Sequence, residues 1–290
     1  MKAGLVGLGR MGQGLRARLR AHGHDVSGYD RDPAVSDTPS LEALVASLPA
    51  PRVLWVMVPA GGPTDATVAA LGGLLAPGDT IIEGGNSYHR DSVRRAAAVG
   101  ERGIGYVDAG VSGGIWGEEQ GFCIMAGGPR EVVAAVEPLF EAVAAPGGYR
   151  HVGPQGAGHY AKMVHNGIEY GLMQAYAEGF DLLQAAPEYG YDLAAVAALW
   201  GNGSVVRSWL LELAARALAA DPGLKQIRGY VDDSGHGRWT VDEAVARGVP
   251  ATVLAHALFA RFDSRQEDSF AMRLVAALRH QFGGHAVKPA

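Results

Sequence analysis

The 290-residue chain has a single cysteine, Cys123. No internal disulfide can form, so a reducing compartment fits; Cys123, inside a strand-like run, reads as a small core residue. No stretch approaches the roughly 18–20 uninterrupted apolar residues of a membrane-spanning helix. The N-terminal run Lys2-Ala3-Gly4-Leu5-Val6-Gly7-Leu8-Gly9-Arg10 is a poor signal peptide. Its apolar residues are broken by three glycines and closed by Arg10, with no small-residue cleavage pattern after it. It reads as a strand of a soluble, cytoplasmic protein. Basic residues are in deficit: 25 Lys and Arg against 30 Asp and Glu, a net charge of −5. A general nucleic-acid binder carries a basic face, so that class is excluded. Any anionic substrate must instead meet a local cluster of cations. Metal-ligand spacing is also lacking, with one Cys and no H-E-x-x-H, so metal-free chemistry is expected.

Glycine, by contrast, is abundant, at 42 residues, about twice the usual share, and without a Gly-X-Y period. The excess belongs in loops where backbone comes close to something else. Apolar residues make up 48% and charged residues 19%, which rules out wholesale disorder, and the length suggests two domains.

Residues 1–153 alternate short apolar runs (2–7, 25–29, 52–58, 79–83, 106–109 and 122–125) with helical patterns at 11–21, 40–47, 64–75, 90–101 and 130–143. That alternation predicts an α/β domain with a Rossmann-type parallel sheet. Past Pro154 the strand pattern disappears. Residues 156–186 hold no interior proline, and helical patterns follow at 192–200, 205–220, 240–247 and 251–278. Residues 154–290 are therefore expected to form an all-helical domain for substrate and oligomerisation. Residues 279–290, polar and glycine-broken, should be an extended tail outside the core.

Gly7-Leu8-Gly9-Arg10-Met11-Gly12 is a G-x-G-x-x-G between the first strand and the first helix. Its glycines allow a tight turn and close approach of backbone to a pyrophosphate, whose charge then faces the helix N-terminus. Asp30 ends the second strand 23 positions after Gly7, the spacing of an acid that binds the adenosine ribose. A carboxylate there favours NAD over NADP, because it repels a 2′-phosphate. The neighbouring Arg31 could stack on adenine or hold that phosphate, and Asp30-Arg31-Asp32-Pro33 could also be an ordinary solvated turn. Val58, closing the third strand, and Asn86, in Glu83-Gly84-Gly85-Asn86-Ser87, complete the cofactor set at the carboxyl edge of the sheet.

The stretch Gly158-His159-Tyr160-Ala161-Lys162-Met163-Val164-His165-Asn166-Gly167-Ile168-Glu169-Tyr170-Gly171 is the most informative. On a helix, seven residues rotate by about 700° and rise roughly 10 Å, so Lys162 and Glu169 share one face. His165 and Asn166 lie between them and Tyr170 borders the stripe. A lone Lys or Glu on a helix is usually solvated surface, and a lone His is usually a satisfied core residue; five such groups on one stripe point to chemistry. Val111-Ser112-Gly113-Gly114 after a strand adds a hydroxyl and bare backbone amides suited to a carboxylate or sugar hydroxyl.

Gly84-Gly85-Asn86-Ser87, Val111-Ser112-Gly113-Gly114 and above all the run from Lys162 to Gly171 resemble the decarboxylating 6-phosphogluconate dehydrogenases, in their short bacterial form. The resemblance implies oxidative decarboxylation of 6-phospho-D-gluconate to D-ribulose 5-phosphate and CO2 with NAD or NADP, a step of the pentose phosphate pathway. It implies Lys162 as general base and Glu169 as general acid, with His165, Asn166, Ser112, Gly113, Gly114 and Asn86 contacting the sugar acid. Tyr170 and Arg261 match phosphate contacts. Arg279 and His285, in the tail, match residues that complete the site of a neighbouring subunit, hence a homodimer or a dimer of dimers. Three features depart from the long form, the first being that the extra helices of its second domain, and with them its dimer geometry, are missing. The loop Asp233-Ser234-Gly235-His236-Gly237-Arg238-Trp239-Thr240 lacks the family's phosphate lysine, leaving His236 or nothing there. Asp30 stands where NADP-specific members carry Asn-Arg-Thr. The alternatives are a non-decarboxylating 3-hydroxyisobutyrate-type dehydrogenase, which needs neither Glu169 nor the phosphate cations, and a dinucleotide sensor, which needs no acid and base.

Overall fold

The computed structural model describes residues 1–289; Ala290, the last residue of the expected tail, lies outside them. The chain divides into two compact units, Met1–His165 and Asn166–Ala290, and the division falls inside one long helix.

The first unit alternates strands and helices in the order β1 (Lys2–Val6), α1 (Arg10–Ala21), β2 (Asp25–Tyr29), α2 (Leu41–Ala46), β3 (Val53–Val56), α3 (Gly62–Leu74), β4 (Thr80–Glu83), α4 (His89–Gly100) and β5 (Gly105–Ser112). A 3-10 turn at Gly114–Trp116 and the short α5 (Gly117–Gln120) lead to β6 (Phe122–Gly127), α6 (Arg130–Val143) and β7 (Ala144–Gly153). Among the described residues the strands form one seven-stranded sheet in the order β2-β1-β3-β4-β5-β6-β7. The order reverses between β1 and β3, which opens a crevice at their carboxyl ends where ligands of such sheets bind. Central strands β3 and β4 are buried at every residue. This is why β3, Val53-Leu54-Trp55-Val56, reads as an unbroken apolar run and not as an alternating one. Helices on both faces bury separate apolar layers, one around Trp55, Phe122 and Phe140, the other around Leu54, Leu71 and Ile81.

Two features of the sheet depart from the sequence reading. Strand β6 runs antiparallel to β5, because only nine residues separate Ser112 from Phe122, too few for a crossover. Strand β7 is a seventh strand where the sequence shows Pro146-Gly147-Gly148, a turn signal. It survives as an edge strand with a register shift opposite Phe122 and Ile124, the setting in which a proline without an N–H is tolerated. Cys123 is exposed, not a core residue. Its neighbours Phe122 and Ile124 take the buried face of β6, and strand alternation turns Cys123 to the other.

Helix α7 (Ala157–Gln184) runs through the division between the units. The second unit continues through a 3-10 turn at Pro187–Tyr189, α8 (Leu193–Trp200), α9 (Trp209–Ala220), α10 (His236–Arg247), α11 (Thr252–Asp263) and α12 (Phe270–Gly283). Asp192 and Ser208 cap α8 and α9 by accepting the N–H groups of Ala195 and Leu211. Small cores gather around Phe180, Ala197, Leu211 and Leu218, and around Tyr170, Ala257 and Leu258. The single helix expected over 251–278 is two helices. The chain turns at Ser264–Gln266, where the polar run Ser264-Arg265-Gln266-Glu267-Asp268-Ser269 offers no apolar residue to continue a buried stripe. Helix α12 then runs to Gly283, so the first residues of the expected tail, Arg279 included, are helical. No helix among the described residues is long and apolar enough to cross a membrane.

Candidate active site

The carboxyl ends of β1, β3 and β4 meet backbone to backbone. Gly7 has a φ of 95°, and a side chain there would lie 2.7 Å from the Met57 carbonyl oxygen and 3.0 Å from Val58. A side chain at Gly85 would lie 2.6 Å from the Val58 carbonyl oxygen. Only glycine permits this seam, and it places Val58 between the first glycine loop and the loop that carries Asn86. Asn86 is exposed while its neighbours Gly85 and Ser87 are buried.

The loop fits a dinucleotide. Gly9 precedes the first residue of α1 and supplies no side-chain cap, and the helix's first turn carries no acidic residue. A side chain added at Gly9 would meet nothing within 4 Å, so the space beside the start of α1 is open. Arg10 is exposed and Met11 half-buried at that opening, and Gly12 packs against the Gly7 carbonyl. Asp30 ties the loop to β2: its Oδ2 accepts the Leu8 N–H at 2.6 Å and its Oδ1 the Asp32 N–H at 3.0 Å. Burial alone would raise this carboxyl. Hydrogen bonds from the backbone of Asp32, Leu8 and Arg31, with the Arg31 charge, hold it below its ordinary value. Beside it opens a cavity of about 330 Å³ lined by Tyr29, Asp30, Arg31, Ser36 and Asp37 among others.

The seat of α7 is built the same way. A side chain at Gly110 of β5 would lie 2.5 Å from Lys162 Cβ, and one at Gly158 would collide with the carbonyls of Asp108 and Met125. The helix start is held electrostatically by Asp108, a fully buried residue of β5. Its Oδ1 accepts the Gly156 N–H at 2.6 Å and the Gln155 amide at 2.8 Å, and its Oδ2 the His159 N–H at 2.8 Å. Burial pushes this carboxyl up to about 6, with His159 and the two backbone donors acting in the opposite direction. Sequence reading missed Asp108; the signal was a carboxylate inside the apolar strand run Tyr106-Val107-Asp108-Ala109.

Lys162, seated there, is 5% exposed. His165 follows one turn later, its Nε2 3.4 Å from the Ser112 hydroxyl. Gly113 has a φ of 133° and Gly114 is exposed, so the amides after Ser112 sit in an open turn. Asn166, Glu169 and Tyr170 continue along the same helix; Asn166 and Tyr170 are buried and Glu169 is partly exposed. In the second unit Tyr170 underlies Arg261, whose guanidinium carbon is 3.4 Å from the ring centre and whose Nη1 donates to the Asp232 carbonyl at 2.9 Å. His236 is fully buried, its Nδ1 3.2 Å from the Ser234 hydroxyl and its ring edge-on to Trp239. Arg279 and His285 are exposed on α12 and the segment after it, away from any described core, with the His285 carbonyl 2.9 Å from His280 Nδ1.

Residues 2–156 match the family described as the NAD binding domain of 6-phosphogluconate dehydrogenase, and residues 158–281 match the 6-phosphogluconate dehydrogenase C-terminal domain. A Bacillus subtilis protein provisionally named 6-phosphogluconate dehydrogenase is 44% identical over 297 residues, covering 99% of both chains. An NAD(+)-dependent, decarboxylating 6-phosphogluconate dehydrogenase of Haloferax volcanii is 43% identical, covering 99% of this chain and 98% of its own. The solved 6-phosphogluconate dehydrogenase of Plasmodium falciparum superposes with a TM-score of 0.80 at 29% identity, over 100% of this chain and 67% of that one. The chain belongs to the 6-phosphogluconate dehydrogenase family of nicotinamide-dependent oxidoreductases.

Proposed function

We propose that the chain oxidises 6-phospho-D-gluconate at carbon 3 and decarboxylates it to D-ribulose 5-phosphate, with NAD as the acceptor. The observation that carries the reading is the single helix α7, on which buried Lys162 and partly exposed Glu169 lie two turns apart with His165 and Asn166 between them. When bound, the nicotinamide ring accepts the hydride that leaves carbon 3. Lys162 takes the proton of the 3-hydroxyl as that bond breaks. The product is a β-keto acid, which releases CO2 once negative charge on its carbonyl oxygen is stabilised. Protonated Lys162, His165 and Asn166 donate hydrogen bonds to that oxygen. Glu169 then delivers a proton to carbon 1 of the resulting enediol. Ser112 and the amides of Gly113 and Gly114 hold the sugar acid, while Tyr170 and Arg261, stacked on each other, receive the phosphate.

The exposed first turn of α1, at Gly9, Arg10 and Met11, would hold the pyrophosphate, and Val58 and Asn86 would flank the nicotinamide. NAD is favoured over NADP because Asp30 keeps its carboxylate charged and fixed by two backbone N–H groups. The reading includes a homo-oligomer in which Arg279 and His285 complete a neighbour's site. In support, every described residue of α12 is exposed, Phe270, Met272, Leu274, Val275, Leu278 and Phe282 among them. Steady-state kinetics on 6-phosphogluconate with each cofactor, recording reduced nicotinamide and evolved CO2 together, test the reading. One CO2 per reduced nicotinamide, with NAD preferred, is the expected result. Reduction without gas would overturn the decarboxylation, and a preference for NADP the role of Asp30.

A further inference from the structure

A buried ion pair lies beneath the two loops that flank Val58 and Asn86. Arg95, on α4, is 3% exposed, and each nitrogen of its guanidinium has a separate partner. Nη1 donates to Glu83 Oε1 at 2.6 Å and to the Ser87 hydroxyl at 3.2 Å; Nη2 donates to the Gly61 carbonyl at 3.4 Å; Nε donates to Asp65 Oδ1 at 2.8 Å. Gly61 belongs to the loop leaving β3 just after Val58, and Ser87 follows Asn86 in the loop leaving β4. One planar fork thus holds both loops at once.

Glu83 extends the arrangement. It is fully buried at the last position of β4, and its Oε2 accepts the Tyr106 hydroxyl at 2.6 Å. Burial alone would raise this carboxyl; His159 and Arg95, with Ser87 and Tyr106, hold it below its ordinary value. One turn before Arg95 on α4, Ser92 lies with its hydroxyl 2.7 Å from Nδ1 of His159 in the first turn of α7. Replacing a buried pair by apolar residues is often neutral for stability, so stability alone does not explain this one. Its geometry does: the donors diverge toward backbone and hydroxyl groups of different loops, which a point charge could not reach together.

We propose that Arg95 is a positioning residue for the dinucleotide, setting the separation of the Val58 and Asn86 loops through its simultaneous bonds to Gly61, Ser87 and Glu83. The inference rests on the nicotinamide cofactor of the proposed function. Two variants test it. Arg95→Lys keeps the charge opposite Glu83 and loses the fork; Ser87→Ala removes one tether alone. Calorimetric titration of each purified protein with NAD+, and separately with 6-phosphogluconate, is run beside a thermal melt. Arg95→Lys is expected to weaken NAD+ about tenfold, the effect of losing one or two hydrogen bonds to a charged donor, and Ser87→Ala a few-fold. Binding of 6-phosphogluconate should weaken several-fold less than that of NAD+, since of the two loops only Asn86 is also expected to face the sugar acid. A folded Arg95→Lys protein with unchanged NAD+ affinity overturns the proposal. So does parallel weakening of both ligands in proportion to a lowered melting point, the mark of a purely structural residue. A wild-type protein that binds neither NAD+ nor NADP+ overturns the cofactor reading itself, an outcome distinct from wild-type binding with an unaffected variant.

Discussion

Gly110→Ala should cost more in turnover than in stability. Gly110 lies in β5 directly beneath the first turns of α7, and its neighbours there are not flexible side-chain ends. A methyl carbon would sit 2.5 Å from Lys162 Cβ and 2.8 Å from the Gly158 carbonyl oxygen, where ordinary contact begins at 3.4 Å. The deficit against Lys162 is about 0.9 Å. Strand β5 is paired on both sides, to β4 and β6, so the helix is the element that must give way. Overpacking of this kind costs about 1–3 kcal/mol, which for a chain of this size lowers the melting point by roughly 2–4 °C per kcal/mol. A base displaced by about 1 Å loses near-attack geometry and on the order of a hundredfold in kcat. The assay is reduced-nicotinamide absorbance at saturating substrate, beside a thermal melt and an NAD+ titration; NAD+ affinity should hold, because Gly7, Asp30 and Val58 follow the ends of other strands. A variant with a lowered melting point but wild-type kcat would refute the reasoning, since α7 would then move without consequence for turnover.

Lys162→Met should abolish hydride transfer, seen as no burst of reduced nicotinamide in a single turnover; near-normal formation would remove Lys162 from the role of base. Glu169→Ala should slow turnover by about 10²–10⁴-fold, the usual worth of a positioned general acid, and unchanged kinetics would exclude it. Gly179, inside α7, has nothing within 4 Å of a would-be side chain, so Gly179→Ala should raise stability by about 0.4–1 kcal/mol in denaturant melts. Asp233 is held down to about 2 by a hydrogen bond from Arg238, with burial opposing and a second hydrogen bond from Arg265 assisting. A depressed carboxylate contributes stability above its unfolded value near 4 and loses it as pH falls toward 2. Asp233→Asn should therefore cost about 1–2 kcal/mol at neutral pH, after discounting for the half-exposed Arg238, and flatten the melting-point profile between pH 4 and 2.

Most of the fold was legible because burial leaves a periodic trace. The runs at 25–29 and 79–83 became β2 and β4 with shifts of at most one residue, and the proline-free 156–186 became α7 (Ala157–Gln184). The trace failed where local chemistry and tertiary pairing disagree. Pro146-Gly147-Gly148 is a turn by composition, yet β6 offers an edge to pair with, and the backbone bonds outweigh the local preference. The span 251–278 has helical content throughout, and content alone does not show that six polar residues interrupt the packed stripe between α11 and α12.

The candidate site was legible for a different reason, and only in part. Lys162, His165, Asn166, Glu169 and Tyr170 stand out because one helical face gathers groups that surface solvation does not require together; the glycine loop and Asp30 stand out because spacing alone implies a turn and an acid. Arg95 and Glu83 leave no such mark, and Asp108 only that of a carboxylate inside an apolar strand run. Arg95 sits in His89-Arg90-Asp91-Ser92-Val93-Arg94-Arg95, which reads as a solvated charged face, and Arg94 is in fact exposed while its neighbour is not. What separates the two arginines is the turn of about 100° from one helical residue to the next, which aims Arg95 at Glu83 of β4 and Arg94 at partly exposed Asp65 and Asp91. Chemistry selects residue types and therefore shows in a sequence; positioning selects directions, which exist only once the chain is folded. His159 marks the border between the two: it belongs to the informative stretch, but its part became visible only when Ser92 and Asp108, 67 and 51 residues earlier, were found bonded to its ring and its backbone.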